Sequence, residues 1–239
     1  MFVLVGGLGL YDAGMWVRLL LVCAALTAVP AASAASLPAS GQLIVPRVSV
    51  RAAPDRAAKA VRVLREFRAD FRPQIVLALE ARTGPRGDLW YKLSLPGRPN
   101  GQRGWVPAQA LRLRPAVNRV VIRRDARRLE VRRLADGRIL FRAPVAVGAP
   151  EARTPLGRDF YVQWRFTPSD PFFGPFALET SAYSRLSDWP GGGVVGIHGT
   201  SLPGLIGQAV SHGCIRMRNG DVLRLRRLAA VGTPLDVVP

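Results

Sequence analysis

Short segments of alternating apolar and polar residues, separated by glycine and proline, make up most of the chain beyond residue 41. Such alternation is typical of half-buried strands. In the first half it predicts strands at 48–50, 74–79, 89–95 and 104–106, after a linker at 36–41. Asn100-Gly101 predicts a hairpin between the last two strands. Few long stretches follow the helical period, so we predict a mainly all-β protein.

The second half continues this pattern. Strands are predicted at 119–123, 128–132, 139–147, 160–166, 194–197 and 235–238. A helix is expected at 220–231, with Asn219 as its cap and Asp221 in its first turn. Residues 172–187 are rich in aromatic residues and glycine, and three glycines follow at 191–193. This stretch is long enough to cover a groove.

Near the N-terminus, an apolar run at 19–29 precedes Ala32-Ser33-Ala34. This pattern predicts a signal peptide over 1–34, with Met1 or Met15 as its start, and the run is too short for a comfortable membrane span. The protein is therefore expected to be exported to the periplasm or cell wall, with membrane contact only through the signal peptide. Removal of the signal peptide would also remove Cys23 and leave Cys214 as the only thiol.

The chain is strongly basic, with a net charge of +18 that comes almost wholly from arginine. Two explanations of this charge stay open. It could attract anionic wall polymers, or it could reflect a general preference for arginine in the source genome. No aromatic residues interleave the basic runs in the manner of RNA-binding proteins. Nucleic acid is therefore not expected as a partner.

The chemistry is concentrated in residues 197–217, IHGTSLPGLIGQAVSHGCIRM, which hold both histidines and Cys214. A thiol is a weak nucleophile at neutral pH unless a nearby base takes its proton. A single Cys or His is more often structural, but His212 and Gly213 directly precede Cys214, and this clustering favours catalysis. Spacing alone does not choose between His198 and His212 as the base. Two histidines and one thiol fall short of a zinc site, so no metal or cofactor is expected.

The H-G-T at 198–200 and the S-H-G-C-I-R at 211–216 resemble the signature of the L,D-transpeptidase catalytic domain, here residues 117–239. The T-P-L-G at 154–157 is also similar to that family. The resemblance implies a nucleophilic Cys214 and a general base whose ring is oriented by a backbone carbonyl. It also implies an oxyanion hole of two backbone amides. The catalytic residues that it implies are Cys214 as the nucleophile, His198 as the base, and Gly199, whose carbonyl orients the base. His212 shapes the loop, and Gly213 contributes an amide to the oxyanion hole. Ser211 and Arg216 are assigned to substrate binding. Ser211 is also expected to support the loop, and Arg216 could instead form a structural ion pair.

Residues 42–114 resemble a bacterial SH3-like domain in Val48-Ser49-Val50-Arg51, Trp90-Tyr91-Lys92-Leu93 and Gly104-Trp105-Val106-Pro107. The expected architecture is thus a small SH3-like barrel followed by a transpeptidase-type β-sandwich with one or two short helices. Trp90, Tyr91 and Trp105 would either bind the wall or, in the favoured interpretation, fill the barrel. This domain is expected to be dispensable for the chemistry.

The family implies an acyltransferase that forms 3→3 cross-links between peptidoglycan stem peptides through a thioester, with release of a terminal D-alanine. Three alternatives stay open. They are an L,D-carboxypeptidase, a transferase that attaches proteins to the wall, and a non-catalytic wall-binding protein.

Overall fold

The computed structural model describes residues 36–188 and 191–239. The signal peptide predicted at 1–34 lies outside these residues. Among the helices of the described part, none is both long and apolar enough to cross a membrane. The predicted class is confirmed, since strands dominate and the described residues contain a single short α-helix.

The first half forms a seven-stranded sheet in the order β3-β2-β6-β5-β4-β1-β7. Its strands are β1 (Ala39–Leu43), β2 (Arg47–Arg51), β3 (Ala60–Arg65), β4 (Ile75–Thr83), β5 (Leu89–Ser94), β6 (Arg103–Pro107) and β7 (Leu111–Pro115). The predicted hairpin joins the antiparallel β5 and β6, and Gly101 takes the positive φ of 81° that its turn requires. Whether this sheet is an SH3-like domain stays a prediction.

The predicted linker at 36–41 is wrong in its second half, because β1 lies inside the sheet between β4 and β7. Its small residues bring neighbouring side chains close to the backbone. A methyl group on Gly41 would lie 3.1 Å from side-chain atoms of both Val76 and Leu113. Residues that look like a flexible connection in the sequence are therefore a closely packed strand.

The aromatic residues of this sheet are internal. Trp90, Tyr91 and Trp105 are 1%, 7% and 4% exposed. These three rings therefore fill the core, as the favoured interpretation expected, and do not form a binding surface.

The second half forms an eight-stranded sheet in the order β10-β9-β8-β17-β12-β13-β14-β16, and β11 and β15 pair separately. The strands are β8 (Asn118–Arg123), β9 (Arg128–Arg133), β10 (Ile139–Pro144), β11 (Val147–Gly148), β12 (Gly157–Phe166), β13 (Ala177–Tyr183), β14 (Val194–His198), β15 (Ala209–Ser211), β16 (Ile215–Arg216) and β17 (Pro234–Val238). Each predicted strand of this half has an observed counterpart. The buried side chains of these strands form one hydrophobic core, which also includes residues of the helix.

Helix α1 spans Asn219–Leu228, shorter at its end than the predicted 220–231. Arg218 occupies the cap position, so the prediction that Asn219 caps the helix is wrong. The Asn219 side chain instead accepts a hydrogen bond from the Thr200 backbone N–H, at 2.9 Å. A residue with the chemistry of a cap is used here to hold the loop that follows His198.

Two loops of the first sheet contact β13 and the segment after it. In the β3–β4 loop, Arg68 and Arg72 pair with Glu179 at 2.6 and 3.3 Å. In the β5–β6 loop, Asn100 exchanges two hydrogen bonds with the backbone of Tyr183, at 2.7 and 3.0 Å. The two sheets are thus joined next to the strands that carry the candidate site.

Candidate active site

A cavity of about 420 Å³ opens beside β13 and β14. Cys214 and His198 both line it, so the fold brings together the two residues with the strongest sequence signal. Most of the remaining wall is apolar. The other lining residues are Arg68, Asp70, Phe166, Phe173, Ala177, Leu178, Glu179, Gly191, Val194 and Gly196.

Cys214 lies directly before β16 and is partly exposed, so its thiol is accessible from the cavity. The Gly196 backbone N–H donates to Sγ at 3.3 Å. Burial among protein atoms raises the pKa of the thiol, while the Gly196 N–H and the positive charge of Arg216 act in the opposite direction. Burial is the largest influence, so the thiol is protonated at neutral pH and needs a base.

His198 ends β14 and is buried, with 3% of its surface exposed. Its Nδ1 lies 2.6 Å from the Gly199 carbonyl oxygen. Because a carbonyl oxygen can only accept, Nδ1 carries the proton and Nε2 is left as the basic nitrogen. Burial lowers the pKa of His198 to about 4; the Gly199 carbonyl opposes this and the charge of Arg216 adds to it. The imidazole is therefore neutral at physiological pH, as a general base must be.

Gly196 keeps the space between these two side chains open. A methyl group added there would lie 3.8 Å from Cys214 Sγ and 3.9 Å from His198 Cδ2. The thiol sulfur and a carbon of the imidazole ring thus border the same space. A substrate carbonyl placed there would meet both the nucleophile and the base.

The loop before Cys214 is held by buried hydroxyl groups. Ser211 Oγ donates to the Cys214 carbonyl oxygen at 2.5 Å and accepts from the Gly213 N–H at 3.1 Å. Thr154, from the T-P-L-G segment, donates to the Gly213 carbonyl oxygen at 2.9 Å. Ser211 is 2% exposed and its hydroxyl supports the loop, and its assignment to substrate binding stays a prediction. The Gly213 amide is likewise already bound, and its predicted part in an oxyanion hole would require that bond to break.

Arg216 and His212 lie on either side of the nucleophile in the sequence and differ in burial. Arg216 is 8% exposed, and its guanidinium carbon lies 5.0 Å from the centre of the Phe172 ring. It is not among the residues that line the cavity, and its positive charge lowers the pKa of both Cys214 and His198. His212 is exposed and does not line the cavity, which leaves His198 as the histidine placed to act as base.

Sequence reasoning missed the charged part of the cavity wall. Arg68 and Asp70 come from the β3–β4 loop of the first sheet, and Glu179 comes from β13. The sequence around these residues does not indicate a functional site, because only the fold brings them beside Cys214. The expectation that the domain at 42–114 is dispensable for the chemistry was made without these residues, and it stays a prediction. Within residues 36–188 and 191–239, no group of three or more His, Cys, Asp or Glu side chains could hold a metal ion.

A partly exposed thiol and a buried neutral imidazole on one cavity are the arrangement that enzymes use for acyl transfer through a covalent intermediate. Residues 117–237 match the model of the L,D-transpeptidase catalytic domain, YkuD. The chain therefore belongs to the L,D-transpeptidase catalytic-domain family, and this domain is of the acyltransferase type.

Individual proteins are similar in sequence to this chain over part of their length. YkuD of Bacillus licheniformis is 40% identical over 96 residues, which cover 40% of this chain and 52% of that protein. YkuD of Bacillus subtilis is 35% identical over 102 residues, covering 43% and 56%. The chain thus spans about half the length of the curated relatives it matches. Among solved structures, an L,D-transpeptidase from Mycobacterium smegmatis aligns with a TM-score of 0.44 and 20% identity, covering 69% of this chain and 90% of that chain.

Proposed function

We propose that the protein is a peptidoglycan L,D-transpeptidase that forms 3→3 cross-links through a thioester on Cys214. The observation that carries the proposal is the pairing of a protonated, accessible thiol with a neutral imidazole on one cavity. The Gly199 carbonyl fixes the imidazole in the tautomer whose Nε2 can accept a proton.

In the first half-reaction, His198 Nε2 takes the proton of the thiol as Sγ attacks the carbonyl carbon of the third residue of a stem tetrapeptide. Since Cys214 is protonated and His198 is neutral at rest, this proton moves as the carbon–sulfur bond forms. The carbon–nitrogen bond to the terminal D-alanine then breaks. The leaving amine takes the proton from the imidazolium, and a thioester remains.

In the second half-reaction, a side-chain amine of a neighbouring stem attacks the thioester. Its proton passes to His198 and then to the departing sulfur, which restores the thiol. Water at about 55 M competes with the amine, but an oriented acceptor can reach an effective molarity on the order of 10⁵ M or more. A cavity with an apolar wall and a few charged groups is suited to such orientation.

The test is to incubate the mature protein with disaccharide tetrapeptides and to analyse the products by chromatography and mass spectrometry. We expect release of D-alanine and dimers whose mass is the sum of two fragments less one alanine. Cys214→Ala is the matched control, and it should stay folded and yield neither product. Tripeptides alone at saturating acceptor would identify a carboxypeptidase, and full activity of the control would refute the thioester.

We also propose that the protein acts outside the cytoplasmic membrane, in the periplasm or cell wall. The proposed substrate, peptidoglycan, lies there, and residues 1–34 have the pattern of a signal peptide. Mass spectrometry of the native protein should find a terminus near residue 35. A terminus at Met1 or Met15 would contradict cleavage.

A further inference from the structure

The β3–β4 loop carries a compact cluster of charges to the wall of the catalytic cavity. Arg68 Nη2 lies 2.6 Å from Glu179 Oε1 and 3.1 Å from Asp70 Oδ2. Arg72 pairs with the carboxylates of Glu179 and Asp70 at 3.3 and 3.6 Å. Arg68, Asp70 and Glu179 line the cavity, whereas Arg72 does not.

The loop is built to hold Arg68 in place. The Arg68 N–H donates to the Arg72 carbonyl oxygen at 2.8 Å, and Phe67 forms a bridge with Pro73. Only 21% of the Arg68 side chain and 15% of the Glu179 side chain are exposed. These charges are thus fixed and partly desolvated, which strengthens their action on a ligand in the cavity.

Within the described residues, some polar atoms of this cluster form no hydrogen bond with the protein. Among the described residues, Arg68 Nη1 has no hydrogen-bond partner, and Glu179 Oε1 has an ion pair but no aligned hydrogen bond. Such groups are costly to leave unsatisfied when buried. The cluster therefore offers a guanidinium donor and carboxylate acceptors at one place in an otherwise largely apolar cavity.

We propose that Arg68, Asp70 and Glu179 bind a zwitterionic end group, an ammonium and a carboxylate on one carbon, of the stem peptide. Arg68 is the specificity-determining residue, because its planar guanidinium can receive the carboxylate, while Asp70 and Glu179 receive the ammonium. This inference rests on the proposed function. A third residue that is a diamino dicarboxylic acid carries such an end group, whereas lysine carries the ammonium alone.

The same end group occurs on the acyl donor and on the acyl acceptor, so the experiment needs two arms. On the acceptor, the bound ammonium must first lose a proton to solvent before its nitrogen can attack the thioester. Each arm compares three tetrapeptides that differ only at the third side chain, which is diaminopimelic acid, its side-chain carboxamide, or lysine. Release of D-alanine in a single turnover reports on the donor. Partition of a preformed acyl-enzyme among the three as acceptors reports on the acceptor.

In at least one arm we expect the wild-type protein to prefer the free carboxylate over the carboxamide by roughly 10- to 100-fold, the usual range for a charge-assisted hydrogen bond. Arg68→Gln should bring this ratio close to one, mainly through KM, and Arg68→Lys should retain part of it. Arg72→Gln is the matched control. It removes a charge from the same cluster but not from the cavity wall, so the preference should persist.

A wild-type protein that treats carboxylate and carboxamide alike in both arms would overturn the proposal. Equal losses in Arg68→Gln and Arg72→Gln, with the preference retained in both, would also overturn it, because the cluster would then serve only to join the sheets. Failure to release D-alanine from any tetrapeptide is a different result. It would refute the proposed function itself, and this inference with it.

Discussion

The proton equilibrium of His198 gives a quantitative test of the site. Its pKa of about 4 in the folded protein compares with about 6.5 in an unfolded chain. Between these values the folded protein binds fewer protons than the unfolded chain. The contribution of His198 to the unfolding free energy must therefore fall as the pH is lowered from 6.5 to 4.

The size of this effect follows from the two pKa values. At about 1.4 kcal/mol for each pH unit, the contribution of His198 decreases by about 3 kcal/mol between pH 7 and pH 4. It is fully present above pH 6.5 and is lost as the pH falls toward 4. Other groups titrate in the same range, so the contribution must be isolated by comparison with a variant that cannot titrate.

His198→Asn is that variant, since its amide nitrogen can still donate to the Gly199 carbonyl oxygen. Urea unfolding at pH 7, 6, 5 and 4 gives the free energy for both proteins. We expect the advantage of the wild type over the variant to shrink by about 3 kcal/mol across this range. The chain has only two histidines, so proton NMR of His212→Asn would follow the ring of His198 alone. A constant difference in free energy, or a ring that titrates near pH 6.5, would refute the assignment of a buried neutral base.

Two substitutions test the supports of the site. Gly213 has a φ of 116°, and a methyl group there would lie 2.8 Å from Ser184 Cβ. Gly213→Ala should therefore lower the unfolding free energy by roughly 1–3 kcal/mol and reduce acylation of Cys214 by a stem tetrapeptide. Gly204→Ala, with open space around it, should change neither urea unfolding nor acylation; equal effects of the two would count against the strain. Asn100→Ala removes both hydrogen bonds to Tyr183 and should lower the unfolding free energy by roughly 1–2 kcal/mol. The Tyr183 amide should then exchange hydrogen faster, and unchanged exchange would show that the β5–β6 loop does not hold this segment.

The sequence was informative wherever a local pattern determines the structure. Alternation located the strands on both sides of the site, and the density of rare reactive groups located Cys214 and His198. Asn219 shows the limit, since its chemistry suits a cap equally well and only the position of Thr200 decides its use. Arg68 shows the limit more strongly. Nothing near it in the sequence indicates that the first sheet would bring it to a cavity of the second.

The position of β17 has a consequence for how the second sheet forms. This strand follows every other strand of the sheet in sequence, yet it lies inside the sheet, parallel to β8 and antiparallel to β12. The pairing of Leu235 with Val120 joins distant parts of the chain, and contacts of this kind slow folding. Until β17 arrives, the facing edges of β8 and β12 present unpaired backbone groups, which favour aggregation. A chain that stops short of Pro234 would thus lack the strand that unites the two halves of the sheet, and a chaperone that shields these edges during folding would raise the yield of native protein.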